Sequence, residues 1–144
     1  MSSASAKPAW QVWTGRVLTA LVALLMAFSA IMKLSRQPPV LEGFAKFGFP
    51  ENALLPIGVV ELACVVLYLV PRTAPIGAIL VTGYRGGAIA THVRGGDPFI
   101  MPFLIGVVAW VGLGLRDDRI APLLRAPSSE PKAAATASAA SASS

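Results

Sequence analysis

Residues 54–70 read LLPIGVVELACVVLYLV, an apolar run that contains one carboxylate, Glu61. A carboxylate in the middle of such a run is costly to place in a bilayer, by about 2.5–3.5 kcal/mol on insertion scales. It therefore requires a cationic partner or a neutralising proton. The next apolar run contains one candidate partner, Arg85. These two charges guide the interpretation of the rest of the chain.

The composition of the whole chain is that of a membrane protein. Of its 144 residues, 55% are hydrophobic and 13% are charged, whereas soluble domains are about 25% charged. The mean hydropathy is +0.67. The net charge of +5 is explained by cations at the ends of membrane spans, which face anionic lipid. We therefore predict the lipid bilayer as a partner and no nucleic acid.

Four apolar runs predict an all-α membrane protein, a four-helix transmembrane bundle. The spans are expected at about residues 15–33, 54–70, 75–92 and 99–115. Proline and glycine clusters, which end helices, separate them. The membrane domain is expected over residues 14–125, after a disordered or interfacial N-terminus at residues 1–13. Residues 126–144 are mostly Ala, Ser and Pro with two charges, and we predict a disordered tail.

The first span has an alternative interpretation as a signal peptide with a cleavage site at Ala27-Phe28-Ser29. Its apolar core is longer than a usual signal core, and Lys33 follows it as a stop signal would. We therefore favour a span.

The distribution of Lys and Arg predicts that both termini are cytoplasmic. Seven of these residues lie in the termini and the second loop, and four lie in the first and third loops. The seven are Lys7, Arg16, Arg72, Arg116, Arg119, Arg125 and Lys132, and the four are Lys33, Arg36, Lys46 and Arg94. In the first loop, Leu41, Phe44 and Phe47 share a helical face, which is typical of an interfacial anchor or of a lid.

Glu61 and Arg85 are expected at the same depth. Each lies seven residues from the outer end of its span, roughly 10 Å inside the boundary at about 1.5 Å per residue. If the two spans are antiparallel neighbours, the carboxylate and the guanidinium lie at the same depth. An arginine guanidinium can donate two parallel hydrogen bonds to a carboxylate. Two interpretations stay open: an ion pair that only sets helix register, or the polar wall of a cavity.

Further polar residues are assigned to the same intramembrane site. Lys33 and His92 fall at the outer mouth of the bundle, and Ser29 lies one turn deeper than Lys33. Tyr84, next to Arg85, is included, with simple packing as its alternative role. A solvated span-end residue is the alternative for His92.

Four glycines are expected to serve helix packing: Gly58, Gly83, Gly86 and Gly87. Their small size permits the close approach of a neighbouring helix. The single cysteine, Cys64, excludes an intramolecular disulfide and a cysteine-only metal site. No nucleophile–base pair, phosphate loop or metal-ligand spacing occurs, so we predict no catalytic residue, no metal and no self-contained enzyme.

Several motifs occur in an order that resembles the DoxX-like family of small bacterial four-span membrane proteins. They are FSAIMKL (28–34), GFP (48–50), GVVEL (58–62), GYRGGA (83–88) with Thr91-His92, and GGDP (95–98). The resemblance covers about residues 14–120. Lys33, Glu61 and His92 match polar positions of the family, whereas Arg85 stands where an aliphatic residue is expected.

The resemblance implies relatives attached to thiosulfate:quinone oxidoreductases and to membrane redox complexes of the bacterial inner membrane. It suggests an accessory redox subunit, quinone- or sulfur-linked, without a redox centre of its own. No cofactor other than a quinone is expected, and the partners would be oxidoreductase subunits or further copies of the chain. The alternatives are a small proton-coupled transporter that uses Glu61, and a structural or assembly protein without a small ligand.

Overall fold

The computed structural model describes residues 7–120, which form five α-helices. They are α1 (Ala9–Leu34), α2 (Pro38–Lys46), α3 (Leu54–Leu69), α4 (Ala74–Gly95) and α5 (Ile100–Arg116). A 3₁₀ turn, Glu51–Ala53, leads directly into α3. No strand occurs in the described range, so the all-α prediction is confirmed. Residues 1–6 and the expected tail at residues 126–144 lie outside the described residues.

Each expected span corresponds to a long helix, but α1 begins earlier than the expected boundary at residue 14. Pro8 is extended, and the helix starts at the next residue. Residues 9–13 contain no glycine or proline that would delay the helix. This segment, expected to precede the membrane domain, therefore forms the first turns of α1.

Four of the helices close into a ring. α1 packs against α3 and α5, and α4 packs against the same two helices. Neighbouring helices are antiparallel: Leu34 at the end of α1 lies beside Gly58 in the N-terminal half of α3, and Gly15 near the start of α1 lies beside Arg116 at the end of α5. The short helix α2 stands outside the ring and contacts α1 and the 3₁₀ turn. The ring therefore has an end covered by α2 and an end that carries the α3–α4 connection.

The core of the ring is built from small and branched residues around one tyrosine. Val22, Met26, Val81 and Leu113 are fully buried together with Tyr68. The Tyr68 hydroxyl donates a 2.7 Å hydrogen bond to the carbonyl oxygen of Ala109. This bond satisfies the hydroxyl group of Tyr68, which would otherwise be buried without a hydrogen-bond partner.

Very close helix contacts occur at two buried glycines. A Cβ atom at Gly15 would lie 2.8 Å from the backbone nitrogen of Arg116 on α5. A Cβ atom at Gly77 would overlap the backbone of Tyr68. Both positions require glycine because backbone, which cannot move aside, fills the space.

The outward faces of the helices are apolar. Leu24 on α1 is 68% exposed and Ile79 on α4 is 61% exposed, and large aliphatic or aromatic side chains are exposed on α3 and α5 as well. Two helical segments are long and apolar enough to cross a membrane: Ala9–Leu34 and Glu51–Leu69, with mean hydropathy 2.2 and 2.0. α5 is apolar but shorter, and the glycines and Arg85 make α4 less apolar.

The end of the ring opposite α2 carries cations that bind backbone carbonyl groups. Lys7 Nζ donates to the Gly114 oxygen at 2.7 Å, and Arg116 donates to the Tyr68 oxygen at 2.7 Å. Arg119 donates to the Pro71 carbonyl and to the Asp117 carboxylate. The hydrogen bonds from Arg119 hold the pKa of the Asp117 carboxyl below its ordinary value.

Candidate functional site

Glu61 is fully buried on α3, and its closest cation is Lys33 of α1. Lys33 Nζ donates to Glu61 Oε2 at 2.8 Å and to Ser29 Oγ at 2.6 Å. The Ser29 hydroxyl donates to the same carboxylate oxygen at 3.3 Å. Ser29 and Lys33 lie one helical turn apart, so both reach Glu61 from the same face of α1. The three side chains form a hydrogen-bonded cluster between α1 and α3.

Arg85 of α4 approaches the other oxygen of the same carboxylate. Its Nη2 lies 3.7 Å from Glu61 Oε1, which is too long for a hydrogen bond. Glu61 Oε1 and Arg85 Nε are buried without a hydrogen-bond partner among residues 7–120. The guanidinium carbon also lies 5.8 Å from the centre of the Tyr84 ring, within cation–π distance.

The structure thus brings the two expected charges together but adds a closer partner. From the sequence, Lys33 was expected at the mouth of the bundle, above the Glu61–Arg85 pair. Its long side chain instead reaches back to Glu61 and makes the short contact. One carboxylate is therefore shared by two cations, and the ammonium holds it more directly than the guanidinium does.

A cavity of about 530 Å³ adjoins this cluster at the end of the ring that α2 covers. Its polar lining residues are Ser29, Lys33, Tyr84, Arg85, Thr91 and His92, and the others are Phe44, Phe47, Phe49, Ile57, Gly83, Gly87, Ala88, Met101, Pro102 and Ile105. Glu61 does not line it. The carboxylate lies behind the cations as their counter-ion, rather than forming the cavity wall.

The first loop covers this cavity with three aromatic residues. Phe44, Phe47 and Phe49 all line it, and the ring of Phe47 lies 5.3 Å from that of His92. A 2.5 Å ion pair between Lys46 and Asp97 joins the loop to the α4–α5 connection. Leu41 and Phe44 lie in α2, and Phe47 directly follows the helix. Phe44 and Phe47 both line the cavity.

His92 is half-buried in the lining of the cavity. Its Nδ1 lies 2.8 Å from the carbonyl oxygen of Ala88, one turn earlier on α4. A carbonyl oxygen only accepts, so Nδ1 donates the proton of this bond.

Of the four glycines expected to serve helix packing, Gly58 lies against a neighbouring helix. Gly58 is buried, and a Cβ atom there would lie 3.1 Å from the Leu34 side chain. At Gly83, Gly86 and Gly87 a Cβ atom would meet no heavy atom of the described residues within 4 Å. These three glycines lie on an exposed face of α4, where no neighbouring helix of this chain packs. Gly83 and Gly87 line the cavity instead.

Cys64 is buried and free. Within residues 7–120 no group of three or more His, Cys, Asp or Glu residues is arranged to hold a metal ion. The residues that line the cavity offer positive charge and hydrogen-bond donors, from Lys33, Arg85 and His92.

A family model described as the DoxX-like family matches residues 17–112, well over half of the chain. The chain belongs to the DoxX-like family. The matched region contains every residue of the charged cluster and every residue that lines the cavity. Membership of the DoxX-like family indicates a membrane protein, in agreement with the two long apolar segments. Comparisons with curated proteins and with solved structures found no match.

Proposed function

We propose that this DoxX-like protein is a four-span transmembrane bundle of the bacterial inner membrane, with both termini in the cytoplasm. The apolar outward faces of the helices support a lipid environment, since soluble monomers rarely expose apolar patches of this extent. The cationic residues Lys7, Arg116 and Arg119 gather at one end of the ring, in keeping with the positive-inside rule. The cavity then faces the outer half of the membrane.

Within this membrane the protein acts as an accessory subunit of a redox system, quinone- or sulfur-linked, and its cavity binds the lipophilic redox ligand. The observation that carries the proposal is the composition of the cavity. Two cationic donors, Lys33 and Arg85, adjoin aromatic and aliphatic walls. Its volume lies in the range of about 300–1,000 Å³ that is usual for ligand pockets.

The donors suit the headgroup of a quinone. A quinone carbonyl oxygen accepts hydrogen bonds, and Lys33 Nζ uses two of its three donor hydrogens on Ser29 and Glu61. The third hydrogen of Lys33 Nζ is available to the ligand, and Arg85, whose Nη2 stands 3.7 Å from Glu61 Oε1, also lines the cavity. The rings of Phe44 and Phe47 provide apolar contacts for the body of the molecule. A partner subunit would supply the redox centre and carry out the electron transfer.

The transporter alternative receives less support from the geometry. Exchange of a proton at Glu61 requires access to the carboxylate, and this residue is fully buried behind Lys33 and Arg85. If transport nevertheless occurs, the Glu61→Gln variant will abolish proton-coupled uptake in vesicles. Proton-coupled uptake that persists in this variant would contradict the transporter hypothesis.

Isolation from native membranes tests the proposed role. A tagged chain, extracted in a mild neutral detergent, is expected to copurify with oxidoreductase subunits and to carry extractable quinone. The control is a tagged membrane protein of similar size and unrelated fold, expressed at the same level. Isolation of the chain alone and free of quinone would contradict the accessory role.

A further inference from the structure

The lining of the cavity has an excess of positive charge. Among residues 7–120, Lys33 and Arg85 line it and no carboxylate does. Glu61 is fully buried and shared between the two cations. One carboxylate opposite an ammonium and a guanidinium leaves one formal positive charge without a counter-ion among these groups.

The two cations also have unused donor capacity on the cavity side of the cluster. Arg85 is 10% exposed and Lys33 is 12% exposed at the side chain, so water reaches them poorly. Arg85 Nη2 stands 3.7 Å from Glu61 Oε1, beyond hydrogen-bond distance, and Arg85 also lines the cavity. A buried charged donor without a partner costs free energy, and an anionic acceptor would satisfy both the charge and the hydrogen bond.

The remainder of the cavity excludes a small hydrated ion as the best ligand. Phe44, Phe47, Ile57, Met101 and Ile105 form apolar walls. A small inorganic ion would lose its water against these walls without gaining contacts. A molecule with one negative group and a flat apolar body would satisfy the cations and fill the apolar space at once.

We propose that this cavity selects a singly charged organic anion with an apolar body over a neutral molecule of the same shape. The inference rests on the proposed function in one respect, namely that the cavity is a ligand site. It adds the charge of the headgroup, which the redox role alone leaves open.

Four probes separate the charge of the ligand from its quinone character. 2-Hydroxy-1,4-naphthoquinone is an anion at pH 7, and 2-methoxy-1,4-naphthoquinone is its neutral relative. 2-Naphthoate and 2-naphthamide form the same pair without a quinone. The dissociation constant of each is measured from the concentration dependence of thermal stabilisation of the full chain in neutral maltoside detergent.

The dissociation constant of each anion is expected to be lower than that of its neutral relative by a factor of about ten or more, as for a charge-assisted hydrogen bond in a buried site. Equal dissociation constants for the hydroxynaphthoquinone and the methoxynaphthoquinone would overturn the anion inference and leave quinone binding intact. Binding of naphthoate without either quinone would support the inference and contradict the quinone role. Absence of binding by all four probes would overturn both.

Charge variants locate the effect in the cavity. Arg85→Gln is expected to weaken naphthoate binding about tenfold or more while changing naphthamide binding little. Arg36→Gln is the matched control, because Arg36 forms an exposed ion pair with Glu51 and does not line the cavity. If Arg85→Gln and Arg36→Gln weaken naphthoate binding equally, the preference comes from the net charge of the protein and not from the cavity, and the inference is overturned. If Arg85→Gln does not fold, Glu61→Gln replaces it and is expected to tighten naphthoate binding.

Discussion

The buried carboxylate of Glu61 depends on two cations that hold it unequally. Lys33 is hydrogen-bonded to it at 2.8 Å, whereas Arg85 stands at 3.7 Å without a hydrogen bond. A buried charge pair is weak evidence for stability, but removal of one partner leaves an uncompensated charge. Removal of Lys33 and removal of Arg85 should therefore lower the free energy of unfolding by different amounts.

The Lys33→Met variant is expected to lower the free energy of unfolding by about 3–5 kcal/mol, because the buried Glu61 carboxylate loses its 2.8 Å hydrogen bond to a cation. Arg85→Leu should cost less. Two double-mutant cycles with Glu61→Gln, each followed by thermal unfolding in detergent, measure the coupling energies. The Lys33–Glu61 coupling should be about 1 kcal/mol or more and should exceed that of Arg85–Glu61.

The reverse order of the two coupling energies would contradict the geometry of the cluster. Coupling near zero in both cycles would mean that neither cation meets the carboxylate in the folded protein. A matched control is the exposed pair of Arg36 and Glu51, for which coupling of at most about 1 kcal/mol is expected.

The sequence alone predicts part of this cluster. Equal depth in antiparallel spans indicates that Glu61 and Arg85 approach each other, and the structure places them 3.7 Å apart. The role of Lys33 as the closer partner requires knowledge that α1 packs beside α3, which no local pattern contains. It also depends on a long side chain that turns back along its helix, a choice of rotamer that the neighbouring residues decide.

Among the helices, close approach is concentrated between α1 and α5 and between α3 and α4. Gly15 meets the backbone of α5, and Gly77 meets the backbone of Tyr68 on α3. The exposed glycines of α4 have open space instead. Spacing of small residues along the sequence cannot separate these cases, because it indicates a face where a helix could pack and not whether one does.

Two alanine substitutions test this assignment. Gly15→Ala is expected to lower the free energy of unfolding by about 1–3 kcal/mol, because its Cβ atom would overlap the α5 backbone. Gly83→Ala should be neutral, or stabilising by up to about 1 kcal/mol, since alanine favours a helix and has space there. Thermal unfolding in detergent compares them. A larger loss at Gly83 than at Gly15 would show that α4 packs against another surface.

At the scale of the whole molecule, composition and hydropathy predict the fold class. They do not predict that α2 covers one end of the ring. Four apolar runs predict the four long helices. The position of α2 over the cavity depends on contacts far apart in the chain, such as the ion pair between Lys46 and Asp97. The amphipathic pattern of the first loop fits an anchor on the lipid surface equally well.

The orientation of the molecule predicts which cysteines an impermeant reagent can reach. In a Cys64→Ala background, Arg36→Cys lies at the α2 end and Arg72→Cys lies in the α3–α4 connection, and both positions are exposed. A membrane-impermeant maleimide is expected to label Arg36→Cys in intact cells and Arg72→Cys only after lysis. Labelling with the opposite sidedness would reverse the proposed orientation and leave the fold unchanged.

The most direct test of the central claim asks whether a redox ligand occupies the cavity beside Lys33 and Arg85. Gly87 lines the cavity, while neighbouring Gly86 is exposed and does not line it, and both have open space for a side chain. The measurement is stabilisation by a short-chain quinone of wild type, Gly87→Phe and the matched control Gly86→Phe. We predict an increase in Tm for wild type and Gly86→Phe and its loss in Gly87→Phe, whose side chain fills the site. Equal stabilisation of all three proteins would contradict the claim, because the quinone would then bind elsewhere.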